Sequence, residues 1–232
     1  NAACHRFALS ENEPLKAELL PQLVGSARFV TVGISHLTTS RQHLSQPAVR
    51  VKLAEGRIQL DGVVPWVTGA GQADWVLTGG SCEDGRQVLV ALPMDSRGIT
   101  VLPAQDLLAL DSSQTASIQL ENVLVDEGLL VAGPVEGVMH SGGRGGTGSL
   151  GTSALALGAA SSSLERLAEE ARNRPELDEV LDLMTSEWEQ VAGDVLSASG
   201  EAADSQAPEL TNESLRQRSN SLVLRAAQAH LA

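Results

Sequence analysis

Pro65-Trp66-Val67-Thr68-Gly69-Ala70-Gly71-Gln72-Ala73-Asp74 is the stretch around which this chain of 232 residues is organised. A β-type run, 57–64, leads into it and another, 74–78, leaves it. Pro65 fixes φ and has no N–H to give a ladder, so regular pairing must break there. Gly69, Ala70 and Gly71 are small enough for the backbone to pass close to something flat or bulky. Trp66 and Thr68 stand two positions apart, and therefore on one side of an extended backbone. An aromatic wall beside a hydroxyl suits a planar heteroaromatic ligand. The plainer alternative is a core tryptophan followed by a glycine-rich turn.

To either side, runs rich in Val, Ile and Leu recur at 28–34, 48–54, 57–64, 73–79, 87–93, 98–103 and 115–125. Turn signals separate them: Glu55-Gly56, Asp84-Gly85 and Ser96-Arg97-Gly98. Ile58 and Leu60 alternate with Arg57, Gln59 and Asp61, the pattern of a strand buried on one face. Short strands at this spacing predict an antiparallel, β-barrel-like or sandwich domain over 28–133. Residues 1–27 precede it with one short helical candidate, Pro14 to Leu23, whose Leu15, Leu19, Leu20 and Leu23 share a face.

A glycine-rich segment, 141–148, marks the change of regime inside a linker placed at 134–149. It lacks the Gly-Lys-Ser/Thr ending of a phosphate-binding loop and reads as a flexible connection. From residue 150 the period is helical. Leu150, Ala154, Leu157, Ser161, Leu164, Ala168 and Ala171 form one stripe, and Pro175 sits where a first-turn proline is tolerated. Leu177, Leu181, Met184, Trp188, Val191 and Val195 then repeat at alternating steps of four and three, a bundle seam. After a polar gap, Leu215, Ser219, Leu222, Ala226 and Ala229 mark a third helix. The fold class expected is α+β: the β domain, then an up-down helical bundle over 150–232 that is short of a fourth member.

Composition narrows the function classes. A formal charge of −13 argues against nucleic acid, whose binding depends on neutralising phosphates. No apolar run approaches membrane-spanning length. With no Tyr, two Phe and three Trp, packing must be aliphatic and each Trp is conspicuous. Cys4 and Cys82 make no disulfide framework, so a reducing, cytoplasmic setting is expected. No secretory or transit segment is visible, and a chain that begins with Asn reads as processed or partial. Gly33-Ile34-Ser35-His36-Leu37 is a broken nucleophile elbow, because Leu37 holds the place of the second glycine. Cys4, His5, His36, His43 and Cys82 lack zinc-ligand spacing, and no metal is expected.

This order of segments resembles the acyl-CoA dehydrogenase family over roughly residues 17 to 232. Three stretches carry the likeness. LDGVVPWVTGAGQADWVLTGG (60–80) is similar to the family's aromatic-apolar-Thr triplet, small-residue turn and Ala-Asp before a strand. LLALDSSQTASIQLENVLVDEGLLVAGP (107–134) resembles its Thr-apolar-x-apolar strand and the Leu-Leu that follows. TSALALGAASSSLERLAEEARNRPEL (152–177) is similar to its first bundle helix.

The resemblance implies FAD lying between the β domain and the bundle. It implies removal of the α-proton of an acyl-CoA thioester by a carboxylate, with the β-hydride passing to the flavin. Electrons would leave to an electron-transfer flavoprotein or another acceptor, and the protein would be a homo-oligomer. By the same likeness Trp66 packs against the flavin ring and Thr68 hydrogen-bonds near its reacting nitrogen. Ser35 contacts the flavin pyrimidine, and Ser40 lies near the thioester. The loop GISHLTTS (33–40) departs from the family pattern: it lacks the Glu-Pro and the glycines, and His36 stands where Glu is usual. One family position for the catalytic Glu holds Gly151, with Thr152 replacing an Arg, and the other falls beyond Ala232, so no base is named. The family's N-terminal helical domain corresponds only to 1–27. The alternative is a non-catalytic, flavin- or partner-binding member of the same fold.

Overall fold

The strands at the centre of the computed structural model alternate as the sequence leads one to expect. The structure describes residues 2–38, 46–108, 110–139, 150–199 and 211–231, without the side chains of 230 and 231. It divides into two units, Asn1–Gly145 and Gly146–Ala232, each taken here by itself.

The first unit holds β1 (Val30–Val32), β2 (Val49–Ala54), β3 (Arg57–Val67), β4 (Trp75–Ser81), β5 (Gln87–Pro93), β6 (Ile99–Val101), β7 (Ala116–Asp126) and β8 (Leu130–Val135). They form a sheet in the order β6-β7-β3-β2-β4-β5-β8, with β1 also on β4. Pairing is mainly antiparallel. The exceptions are both on one edge of β4, where β1 runs parallel along Trp75 to Leu77 and β2 joins at Ser81. The path ends at β6 and β8, so the sheet is barrel-like without closing. All seven strand expectations have a counterpart. β8 had none, because Gly133 and Pro134 interrupt its apolar period.

β3 runs on through Pro65, but its ladder to β7 breaks between Val64 and Val67. The lost proline donor is thus accommodated at an irregularity within the strand, not at its end.

Alternation sorts the side chains into two cores. Val76, Val88, Val90 and Leu92 point to one face with Ile58, Leu60, Val64, Val67 and Ile118. Leu77, Leu89 and Ala91 point to the other, where they meet Ala3, Phe7, Leu15 and Leu19. Those last four come from α1 (Ala2–Ala8) and α2 (Glu13–Val24), which cover the second face. The Asn12 side-chain Oδ1 accepts from the N–H of Leu15, and its Nδ2 donates to the carbonyls of Gly128 and Leu130, each at 2.8 Å. A short helix, α3 (Ser35–Thr38), follows β1 and contacts β3.

The second unit is α4 (Leu150–Ala171), α5 (Asp178–Ser199) and α6 (Asn212–Leu231). The α6 stripe is as expected: Leu215, Ser219, Leu222 and Ala226 are buried. On α4 the inward row is Ser153, Leu157, Ala160, Leu164, Leu167 and Ala171. Ala154, Ser161 and Ala168 of the expected stripe are not in the buried row, since Ser and Ala carry too little apolar surface to mark a face. Trp188 packs against both apolar clusters of this unit, and its indole N–H donates to the carbonyl of Leu157 at 2.9 Å.

Candidate functional site

At the end of β3 the chain turns its small face inward and its functional face out. Val67 is fully buried, while Trp66 is 49% exposed and Thr68 is exposed beside it. The core-tryptophan alternative therefore fails. Successive residues of a strand point to opposite faces, and here the core covers the Val67 side while the Trp66 and Thr68 side is exposed.

Hydroxyl groups fasten this strand end. The Thr31 hydroxyl donates to the carbonyl of Thr68 at 2.6 Å, and the Ser117 hydroxyl donates to that of Pro65 at 2.7 Å. The Thr68 hydroxyl lies 3.3 Å from that of Thr115, which lies 2.8 Å from that of Ser113. Gly69 then enters the left-handed region at φ 63°, and its N–H donates to the carbonyl of Ser113 at 2.9 Å. A Cβ at Gly69 would sit 3.2 Å from the Phe29 ring, so shape as well as φ asks for glycine. The Asp74 carboxylate accepts from the N–H of Phe29 and from Arg28, both at 2.8 Å. These two bonds, the backbone one foremost, hold its carboxyl below the usual aspartate range.

Ser35 opens α3. Its chain has just passed Gly33, where a Cβ would come within 2.6 Å of Val64 Cγ1. The Thr78 hydroxyl donates to the carbonyl of Gly33 at 2.7 Å and fixes that approach. The Ser35 hydroxyl oxygen is buried and has no hydrogen-bond partner among the described residues. His36 is buried and its Nε2 is bonded to the carbonyl of Gly79 at 2.9 Å. Since a carbonyl only accepts, Nε2 carries the proton. His36 thus anchors α3 to β4. Ser40 and His43 lie outside the described residues.

Gly151 and Thr152 occupy the first turn of α4, both exposed, and neither is a carboxylate. A cleft of about 410 Å³ lies between Ser10, Asn12 and β8, and another of about 280 Å³ beside Arg28 and Asp95. Neither is lined by Trp66, Thr68 or Ser35. Among the described residues no group of three or more metal-ligating side chains is gathered, and no helix is long and apolar enough to cross a membrane. Thr115 and Ser113, which complete the hydroxyl row, were not singled out from sequence. The signal was there: Thr115 is the residue that meets Thr68 once the two strands are set in register.

No family model matches the chain. A curated relative, the probable acyl-CoA dehydrogenase YngJ of Bacillus subtilis (strain 168), is 30% identical over 125 residues, covering 50% of this chain. The match covers 32% of that relative, about a third of its length. A glutaryl-coenzyme A dehydrogenase solved as its glutaryl-CoA complex aligns with 100% of this chain and 63% of its own, with a TM-score of 0.77 at 17% identity. The glutaryl-CoA dehydrogenase of Mycobacterium smegmatis solved with FADH2 aligns with 99% of this chain and 70% of its own, with a TM-score of 0.65 at 19% identity. At such identities the structural likeness speaks for the fold. In fold, and in sequence over the stretch shared with YngJ, this chain is acyl-CoA dehydrogenase-like.

Proposed function

We propose that the protein is an FAD-dependent oxidoreductase that dehydrogenates an acyl thioester between its α and β carbons. The observation that carries the reading is the outward pair Trp66 and Thr68, a half-exposed indole beside an exposed hydroxyl on a rigid strand end. An isolated exposed tryptophan is an unfavourable way to finish a β domain, and a flat ring stacked on it removes that apolar surface from water. The residues present fit the cofactor in a second respect. The buried Ser35 hydroxyl has no partner among the described residues, and a bond from a ligand atom reaching it would be worth about 1–3 kcal/mol there.

When bound, FAD supplies a two-electron acceptor for the β-hydride. Trp66 covers the ring and keeps water from it. Thr68, its carbonyl pinned by Thr31, presents a hydroxyl at a fixed place to the reacting edge. Ser35 offers a hydrogen bond to the polar end of the ring. Removal of the α-proton needs a carboxylate, and Gly151 and Thr152 do not supply it, so the base stands elsewhere. The partners that go with this reading are an acyl-CoA thioester, an electron-transfer flavoprotein or other acceptor, and further copies of the chain. Exposed leucines at 155, 183, 196 and 224 on α4, α5 and α6 support the last of these.

A visible absorption spectrum of the purified protein, followed by anaerobic addition of an acyl-CoA panel, tests the proposal. Flavin bands that bleach with one thioester are expected. Bands that never bleach would favour the second reading, a non-catalytic flavin-binding relative, which the missing carboxylate at Gly151 supports. Absence of flavin even after adding FAD would overturn the dehydrogenase reading and favour a non-catalytic, partner-binding member of the same fold.

A further inference from the structure

We infer that Thr115 and Ser113 form, with Thr68, a reversible hydroxyl row that positions the Thr68 proton for the ligand; this rests on the flavin reading above. Thr68 lies one residue beyond the Val67–Ala116 pair of the β3–β7 ladder, so it faces Thr115 across the two strands. The three oxygens are spaced 3.3 Å and 2.8 Å apart, with Thr68 exposed, Thr115 buried and Ser113 half-buried. Backbone bonds hold the inner two residues of the row: Gly69 N–H donates to the Ser113 carbonyl, and Gln105 N–H to that of Thr115.

A hydroxyl has one proton and two lone pairs. The row therefore has two self-consistent states. In one, Ser113 donates to Thr115 and Thr115 donates to Thr68, which leaves the Thr68 proton free for an acceptor on the exposed side. In the other, every bond reverses: Thr68 accepts from outside and donates to Thr115, which donates to Ser113. Each bond in a row polarises the next, so the inner two hydroxyls strengthen what the outermost presents. The 3.3 Å separation is long for two hydroxyls and leaves Thr68 free to turn toward a ligand. A ring nitrogen that is an acceptor when oxidised and carries a proton after two-electron reduction needs both states. A lone Thr68 could donate or accept, but the row gives its hydroxyl a protein partner in either direction, with the last proton at Ser113 in the reversed state.

Thr115 and Ser113 are thus positioning residues, acting through Thr68. The test uses the full chain and FAD itself, titrated in the oxidised form and after dithionite reduction, with band positions recorded and melting measured without flavin. Thr115→Val keeps the shape and removes the hydroxyl, whereas Thr115→Ser keeps the hydroxyl. Loss of one hydrogen bond predicts that Thr115→Val weakens both redox forms about three- to tenfold, while Thr115→Ser stays within about twofold of the parent. The loss of flavin binding in Thr115→Val should exceed what any change in melting of the flavin-free protein accounts for, which a merely structural role would not give. If Thr68→Val weakens flavin but Thr115→Val does not, the row is overturned and the site reading stands. Equal weakening by Val and Ser would also overturn it, because methyl packing would then be at work. If Thr68→Val itself changes nothing, the placement of flavin at this strand end fails first, and the row with it.

Discussion

Two serines carry buried hydroxyl oxygens with no partner among the described residues, and the same observation has opposite consequences for them. Ser153 is fully buried in α4, one turn before Leu157 in a row that packs on α5 and α6. Ser219, also fully buried, shows the usual remedy: its hydroxyl donates to the carbonyl of Leu215 at 2.8 Å. Ser153 has no such bond, so removing its oxygen should help. Ser153→Ala is expected to raise stability by about 1 kcal/mol, read as a higher urea midpoint at unchanged slope. A lower midpoint would mean that the hydroxyl is satisfied. Ser35→Ala should leave the flavin-free protein no less stable and weaken flavin retention, because there the unused bond belongs to the proposed site. At this scale the sequence was most informative where the period is two. Trp66 and Thr68 could be placed on one side of the strand, opposite Val67, though the side on which the core lies could not, whereas Ser153 and Ala154 differ too little for a helical stripe to choose between them.

Among elements, β4 and β5 show what a run of letters can and cannot tell. Both are buried along their length, and both read as near-continuous apolar stretches, WVLTGGS and QVLVALP. Such a run announces that both faces are covered. It does not say by what. The second cover is α1 and α2, and α1 was not legible: seven residues, Cys4, His5 and Arg6 among them, show no stripe that a window of 11 or more could detect. Phe7 and Leu19 of these helices are fully buried against Leu77, Leu89 and Ala91. Leu19→Ala is accordingly expected to cost about 2–5 kcal/mol, and Phe7→Ala about 3–5, in chemical denaturation. Midpoints within experimental error of the parent would show that the two helices are dispensable to the sheet.

The whole molecule is acidic, with a formal charge of −13, and its described ion pairs are exposed or half-exposed. Acidification therefore acts in two directions. Down to the neighbourhood of the isoelectric point it relieves self-repulsion. Further down it protonates carboxylates whose native bonds need the charge. Asp61 is held below its usual value by Arg50 and by the N–H of Asn122, and Asp74 by the N–H of Phe29 and by Arg28. A carboxyl whose folded pKa is depressed adds stability that is present above its unfolded pKa and is lost as pH falls through the folded one. The window thus opens at the ordinary aspartate value of 3.8 and extends below it. Asp74 gives the cleaner test, because it joins the start of β1 to the start of β4 through two bonds. Asn at this position imitates the protonated acid: it can still accept from Phe29 but offers Arg28 no charge. Asp74→Asn should melt below the parent at neutral pH, and the two curves should merge well below pH 3.8. Added salt should narrow the gap at pH 7, since the Arg28 pair is solvent-exposed and screened. A difference that persists undiminished in acid would assign the role of Asp74 to its shape and hydrogen bonding alone, and would remove the charge from the account of how this strand end is held.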